Sequence, residues 1–234
     1  MKKVAIVQSS YIPWIGYFDL IGSVDEFIIY DSMQFTKRDW RNRNLIKTPQ
    51  GKKWITVPVL SKGKYLQTIF DTGIDGIKWQ QDHWKSITLN YARAPFFDEI
   101  SLLIEPFYQF NYSNLSELNT NLLLAICNYL SIQTTISDSN SYKLVGDKSD
   151  KLLNICIESS ASSYVSGPSA KEYLDIKKFE ANSIKVEWFN YDNYMPYPQL
   201  WGQFESGMSI LDLLFNCGAN SKDYLFNARK FNSS

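Results

Sequence analysis

Histidine is nearly missing from this chain: His83 is the single imidazole among 234 residues. One histidine and scattered carboxylates show no ligand spacing, so no metal is expected. Cysteine is sparse as well. Cys127, Cys156 and Cys217 are odd in number and far apart, which argues against a disulfide framework or a paired-cysteine zinc site. Net charge is absent, 24 basic side chains balancing 24 acidic ones. Nucleic acid and anionic membranes need a broad positive excess, so neither is an expected partner. Long apolar runs are lacking too. The opening residues 1–7 are cut off by Gln8-Ser9-Ser10 before reaching the length of a signal-peptide core, and no later run could span a bilayer, which makes the cytoplasm the expected compartment without membrane insertion. There is no internal repeat or low-complexity segment.

What the chain does contain is aromatic rings, with 7 Trp, 15 Tyr and 14 Phe, and one local knot of charge. Residues 34–44 set Lys37, Arg38, Arg41 and Arg43 beside Asp39, Asn42 and Asn44. Guanidinium forks match phosphate or carboxylate oxygens two at a time, and asparagine both donates and accepts, a set suited to the phosphates and hydroxyls of a sugar nucleotide. The plainer alternative is a salt-bridged face around Asp39.

The pattern predicts an α/β fold: an open, largely parallel, Rossmann-like sheet flanked by helices, in one domain over 1–234 with a helix-rich insertion at about 79–131. Residues 4–7 form an unbroken, β-branched run, as expected of a central strand buried on both faces. A polar turn, a helix over 14–21 and a strand over 26–30 follow. In such a unit ligands bind beyond the carboxyl ends of the strands, which brings Gln8 to Tyr11 and Asp31 to Gln34 to one edge. Further strands are expected at 54–60, 67–70, 134–137, 163–166 and 185–191. Helices are expected at 79–90, 97–107, 115–130, 148–159, 170–174 and 209–215.

Several side chains are candidates for ligand contact. Gln8, Ser10 and Tyr11 make a donor and acceptor array after the first strand, with Gly16 permitting close approach; their plainer role is helix capping. Trp14, Tyr17 and Trp40 offer rings to stack on a base or sugar, or to fill core. Ser166 opens a turn that faces an anion or only caps a helix. Tyr197 and Trp201 lie in a proline-held stretch that reads as a sugar platform, a lid or a cover for the sheet. Asp212 and Asn216 share a helical face. Cys127 and Cys156 lie on apolar helical faces and Cys217 in a helix-ending turn, where thiols are ordinarily inert packing.

Five segments occur in one order: 4–14 (VAIVQSSYIPW), 39–44 (DWRNRN), 54–59 (WITVPV), 166–170 (SGPSA) and 209–216 (SILDLLFN). Through them the chain resembles the WbqC-like family, associated with bacterial surface-polysaccharide gene clusters. The resemblance implies a transferase that decorates sugar precursors, attaching an amino acid such as glycine or another acyl group to the amine of a nucleotide-linked amino-deoxy sugar. Many members carry histidine where this chain has Val7 and Ser206, so no base is available at those positions. The opening unit resembles more weakly adenylate-forming and nucleotidyl-transferring enzymes, with Gln8 and Gln34 where such enzymes handle substrate, but their paired-histidine motif is absent.

Amide formation needs a base for the ammonium proton, donors for the oxyanion, and positioning. His83 and Asp31 compete for the first role. Under the resemblance, Lys37, Arg41 and Arg43 hold the diphosphate or the donor's anion, while Asn42 and Asn44 read hydroxyls. No tightly bound cofactor is expected. The acyl donor is open between a thioester on an acyl or peptidyl carrier protein, a coenzyme A thioester and an aminoacyl-adenylate. An ATP-dependent nucleotidyl-transferring or adenylate-forming enzyme, and a non-catalytic sugar-nucleotide-binding partner, are the alternatives.

Overall fold

In a computed structural model, which describes residues 1–192, 194–225 and 227, the apolar run near the N-terminus becomes the central strand of a sheet. In chain order the elements are β1 (Lys3–Val7), α1 (Ile15–Ile21), β2 (Glu26–Ile29), β3 (Arg43–Thr48), β4 (Gly51–Thr56), α2 (Lys78–Tyr91), α3 (Phe97–Ile104), α4 (Pro106–Gln109), α5 (Leu115–Tyr129), β5 (Thr135–Asp138), α6 (Lys148–Glu158), β6 (Ser163–Ser166), α7 (Ile176–Ala181), β7 (Lys185–Trp188) and α8 (Ile210–Cys217). Five strands form one sheet in the order β5-β2-β1-β6-β7, and every neighbouring pair is parallel. The expected α/β, Rossmann-like architecture is the one observed.

Strand periodicity explains why β1 lacks polar residues from Val4 onward. Val4 and Ile6 turn to one face and pack with Ile28, Leu152, Ile155 and Phe179. Ala5 turns to the other and joins Phe18, Phe27, Leu122 and Ile126. Helices cover both faces, so alternation with polar side chains would bury unpaired groups. Local signals start the helices: Asp147 and Asp150 form a reciprocal capping box on α6, and the Asn114 side chain accepts from Glu117 N at the start of α5.

The largest departure from expectation is at 54–60. No third sheet strand forms there; β3 and β4 make a separate antiparallel hairpin, and Val59 makes only an isolated bridge to Ile74. The buried side of β3 includes Asn44 as well as Ile46, a polar residue where period-two reading looks for an apolar one. The 67–70 strand reduces to one bridge, Gln34 to Thr68. Pro106, which lacks an N–H and suits a helix start, divides the helix expected at 97–107. Residues 168–172 form a 3₁₀ turn in place of an α-helix, and α7 follows where none was expected. Among the described residues, no helix is long and apolar enough to cross a membrane.

From β1 the chain builds outward through β2 to β5, then crosses back to place β6 and β7 on the other side. The carboxyl ends of β1 and β6 therefore flank a topological switch point, where an open α/β sheet leaves a crevice for ligand.

Candidate functional site

The loop after β1 is braced from all sides. Arg41 Nη1 donates to the carbonyls of Gln8 and Ser9, each at 3.0 Å, and Tyr17 Oη donates to Gln8 O at 2.8 Å. Asn44 Nδ2 donates to the carbonyls of Tyr11 and Ile12 at 3.0 and 2.9 Å, and Tyr11 N donates to Trp40 O at 3.0 Å. Ser9 N donates to Asp31 Oδ1 at 2.7 Å. Within this frame Ile12 takes φ 39°, a left-handed conformation costly for a β-branched residue and worse for one that precedes proline. Such strain, of order 1–3 kcal/mol, persists only where its surroundings over-determine it. The hydrogen bonds just named supply that.

Two adjoining cavities open beside the loop. One, about 520 Å³, is lined by Ser10, Trp14, Tyr17, Trp40, Arg41 and Asn44 among others. The second, about 360 Å³, lies between the carboxyl ends of β1 and β6 and the start of α6, and includes Gln8, Tyr30, Met33, Ser166, Lys148 and Lys151 in its walls. Val7, Ser169 and Tyr191 line both. A third hollow of about 250 Å³ lies past Trp14 and Tyr191, against Tyr197 and Ser206. The Trp14 ring reaches its place by folding over Gly16, where a Cβ would come within 2.3 Å of it; the open approach at Gly16 is taken up by the chain itself.

Among the described residues the charges in these walls are all positive. Arg41, its side chain 12% exposed, has Nε 3.7 Å from Asp39 Oδ2, an ion-pair distance beyond hydrogen bonding, and that Nε is buried without a hydrogen-bond partner. Lys148 is exposed and Lys151 half-buried. Lys148 Nζ sits 5.8 Å from the centre of the Tyr173 ring. Burial pushes the Tyr191 phenol up to about 12, so it is a neutral donor at ordinary pH.

The structure thus brings Gln8, Ser10, Trp14, Tyr17, Trp40, Arg41, Asn44 and Ser166 to the cavities. It places the other candidates away from these two cavities, Tyr197 against the third hollow. Asn42 donates to Val57 O at 2.7 Å from a buried position. The Asn44 amide is engaged by backbone, as above. Arg43 donates to Arg38 O and lies over the Trp54 ring at 4.1 Å. Lys37 and Gln34 are exposed, and Gln34 Nε2 donates to Tyr65 O. Tyr197 Oη donates to Asp212 Oδ2 at 2.8 Å, and Trp201 Nε1 to Asn90 O at 2.9 Å; the stretch they occupy packs on α8 and α2. Asp212 also accepts from Tyr91 and Gln199, so its helical face serves this neighbouring segment.

Both base candidates lie away from the cavity walls. Asp31 is fully buried, accepting from Ser9 N and Ser116 Oγ; burial raises its pKa, with those hydrogen bonds and Arg41 pulling the other way. His83 is 6% exposed. Its Nε2 faces Thr56 O at 3.1 Å and its Nδ1 faces Tyr11 Oη at 2.9 Å. A carbonyl only accepts, so the network assigns the proton to Nε2; Tyr11 then donates to Nδ1 and Tyr108 to Tyr11, at 2.7 Å. Burial lowers the His83 pKa to about 4. Tyr11 is enclosed in the same knot. The Cys127 and Cys156 thiols, pushed up to about 12 by burial, are inert packing groups.

Sequence reasoning passed over Tyr30, Lys148, Lys151, Tyr173 and Tyr191. The lysines had a usable signal: three residues apart at the start of a helix that follows a parallel strand, they share one face at the carboxyl edge of the sheet.

The model of the WbqC-like protein family matches residues 8–224. The chain is 57% identical over 226 residues to the "Uncharacterized protein Rv1507c" of Mycobacterium tuberculosis, a match covering 96% of this chain and 98% of that protein. No solved structure matches.

Proposed function

We propose that this chain, which belongs to the WbqC-like protein family, is a transferase that binds a nucleotide-linked amino-deoxy sugar in the crevice beyond β1 and β6 and forms an amide on the sugar's amine. The observation that carries the reading is the make-up of the crevice: Arg41 in one wall, Lys148 and Lys151 in the other, and the rings of Trp14, Tyr17, Trp40 and Tyr191 nearby. Cations complement a diphosphate, and flat rings stack on sugar and base. In the reaction the amine nitrogen attacks the carbonyl carbon of an activated acyl or aminoacyl donor. The C–N bond forms, the bond from carbon to the leaving group breaks, and the ammonium proton passes to solvent. Among the described residues no imidazole or carboxylate lines the cavities, so the chain contributes by positioning and by stabilising developing negative charge.

The test is titration calorimetry with UDP- and dTDP-linked amino sugars, followed by mass spectrometry after adding carrier-protein thioester, coenzyme A thioester or aminoacyl-adenylate. Saturable binding, weakened by Trp40→Ala, and a product heavier by the acyl group are expected. No binding to any nucleotide-linked amino sugar defeats the reading. The enclosure of His83 and Asp31 favours a second one, a sugar-nucleotide-binding protein without turnover, which binding without product under every donor would select.

A further inference from the structure

We infer that the two lobes of the crevice divide a nucleotide sugar between them: the lobe beside α6 takes the nucleoside diphosphate, with Lys148 and Lys151 on its phosphates, and the lobe beside Arg41 takes the sugar, an assignment that rests on the nucleotide-sugar reading above.

The lysines are free for this work. Lys148 and Lys151 stand at i and i+3 on α6 and line the same cavity, and their ammonium groups have no ion pair or hydrogen bond among the described residues. The acidic side chains nearest in sequence, Asp147 and Asp150, are held in the capping box and by Lys178, at 3.1 and 2.5 Å, and form no ion pair with either lysine. Around them the exposed Tyr173 and the half-buried Tyr191 present rings to the lobe, while the buried Tyr30 and Tyr164 close its floor. Phenol rings take a nucleobase on their faces irrespective of its identity, and about 360 Å³ lies within the range of small-molecule pockets.

The other lobe is differently equipped. Arg41 Nη1 is already committed to two backbone carbonyls, so its fork cannot clasp a phosphate with both terminal nitrogens. Its surroundings, the indoles of Trp14 and Trp40 and the Ser10 hydroxyl, suit the C–H faces and hydroxyls of a sugar. That hydroxyl has no hydrogen-bond partner among the described residues. The sugar–phosphate linkage then crosses the waist at Val7, Ser169 and Tyr191, common to both lobes.

The experiment titrates UDP, dTDP and a UDP-linked amino sugar into the wild-type chain, the double variant Lys148→Ala/Lys151→Ala, and Trp40→Ala, each at low and high salt, with circular dichroism to confirm folding. The lysine variant should lose about tenfold or more in affinity for the nucleotides and for the nucleotide sugar alike, with a shallower salt dependence. Trp40→Ala should lose about fivefold for the nucleotide sugar and nothing for UDP. If the nucleotide sugar binds the wild-type chain and the lysine variant keeps its UDP affinity, the division of lobes is overturned while the functional reading stands. If neither nucleotide nor nucleotide sugar binds the wild-type chain, both fall together.

Discussion

Two cationic stretches meet the same crevice and differ in what their charges are free to do. In the stretch 37–44, Arg41 props the carbonyls of Gln8 and Ser9, Arg43 donates to Arg38 O and lies over Trp54, and Asn42 and Asn44 bond to backbone. On α6, the ammonium groups of Lys148 and Lys151 line the cavity with no ion pair or hydrogen bond among the described residues, Lys148 lying only over the Tyr173 ring. The irregular loop after β1 buries carbonyls that no ladder satisfies, and the nearest donor-rich segment must serve them. A helix satisfies its own backbone, so lysines on its surface carry no such duty. Density of charge in a sequence is therefore a poor measure of charge available to a ligand.

The contrast can be broken most forcefully at Asn44. Asn44→Ala removes two donated hydrogen bonds and the one its Oδ1 accepts from Leu45 N, and should cost about 3 kcal/mol in urea unfolding; a loss below about 1 kcal/mol would show that the loop does not depend on this amide. The imidazole beneath the loop comes next. Its pKa is lowered from 6.5 to about 4 in the fold, so the unfolded chain takes the proton more readily. The stability His83 contributes is complete above pH 6.5 and is lost as pH falls towards 4, by about 3 kcal/mol. Asp31 and Asp212, raised by burial, have the opposite sign, so the comparison to make is wild type against His83→Gln across that window; equal pH slopes would refute the account.

Smaller still is Gly16→Ala, whose Cβ would meet the Trp14 ring at 2.3 Å. A cost of about 2 kcal/mol and a shifted tryptophan emission are expected as the ring is displaced; an unchanged spectrum would mean that the ring does not need this glycine. On the other side of the comparison, Lys148→Ala/Lys151→Ala should change stability by less than about 0.5 kcal/mol while weakening nucleotide binding. A large loss of stability there would show that these charges are structural after all.

Much of the fold was legible because short-range physics wrote it. The apolar run at 4–7 in β1, the capping box of α6 and the Ser209 cap of α8 are local signals, and each element stands close to its expected place. Hairpin β3–β4 was not legible, since Asn44 faces the interior for its hydrogen bonds and interrupts the apolar period. Of the site, Gln8, Ser10 and Arg41 could be read from their position after parallel strands. His83 and Asp31 could be read only as candidates, because distance in sequence hides that Tyr11, Thr56 and Tyr108 close around one and Ser9 and Ser116 around the other.

By itself the sequence determined the parallel sheet, its buried central strand and the polar edge beyond the strand ends, because burial on two faces and the handing of polar residues to strand ends are properties of neighbouring residues. Tertiary structure alone decided which donors face the crevice and which are engaged by the backbone, because a hydrogen bond has one geometry and the nearest buried carbonyl takes it first.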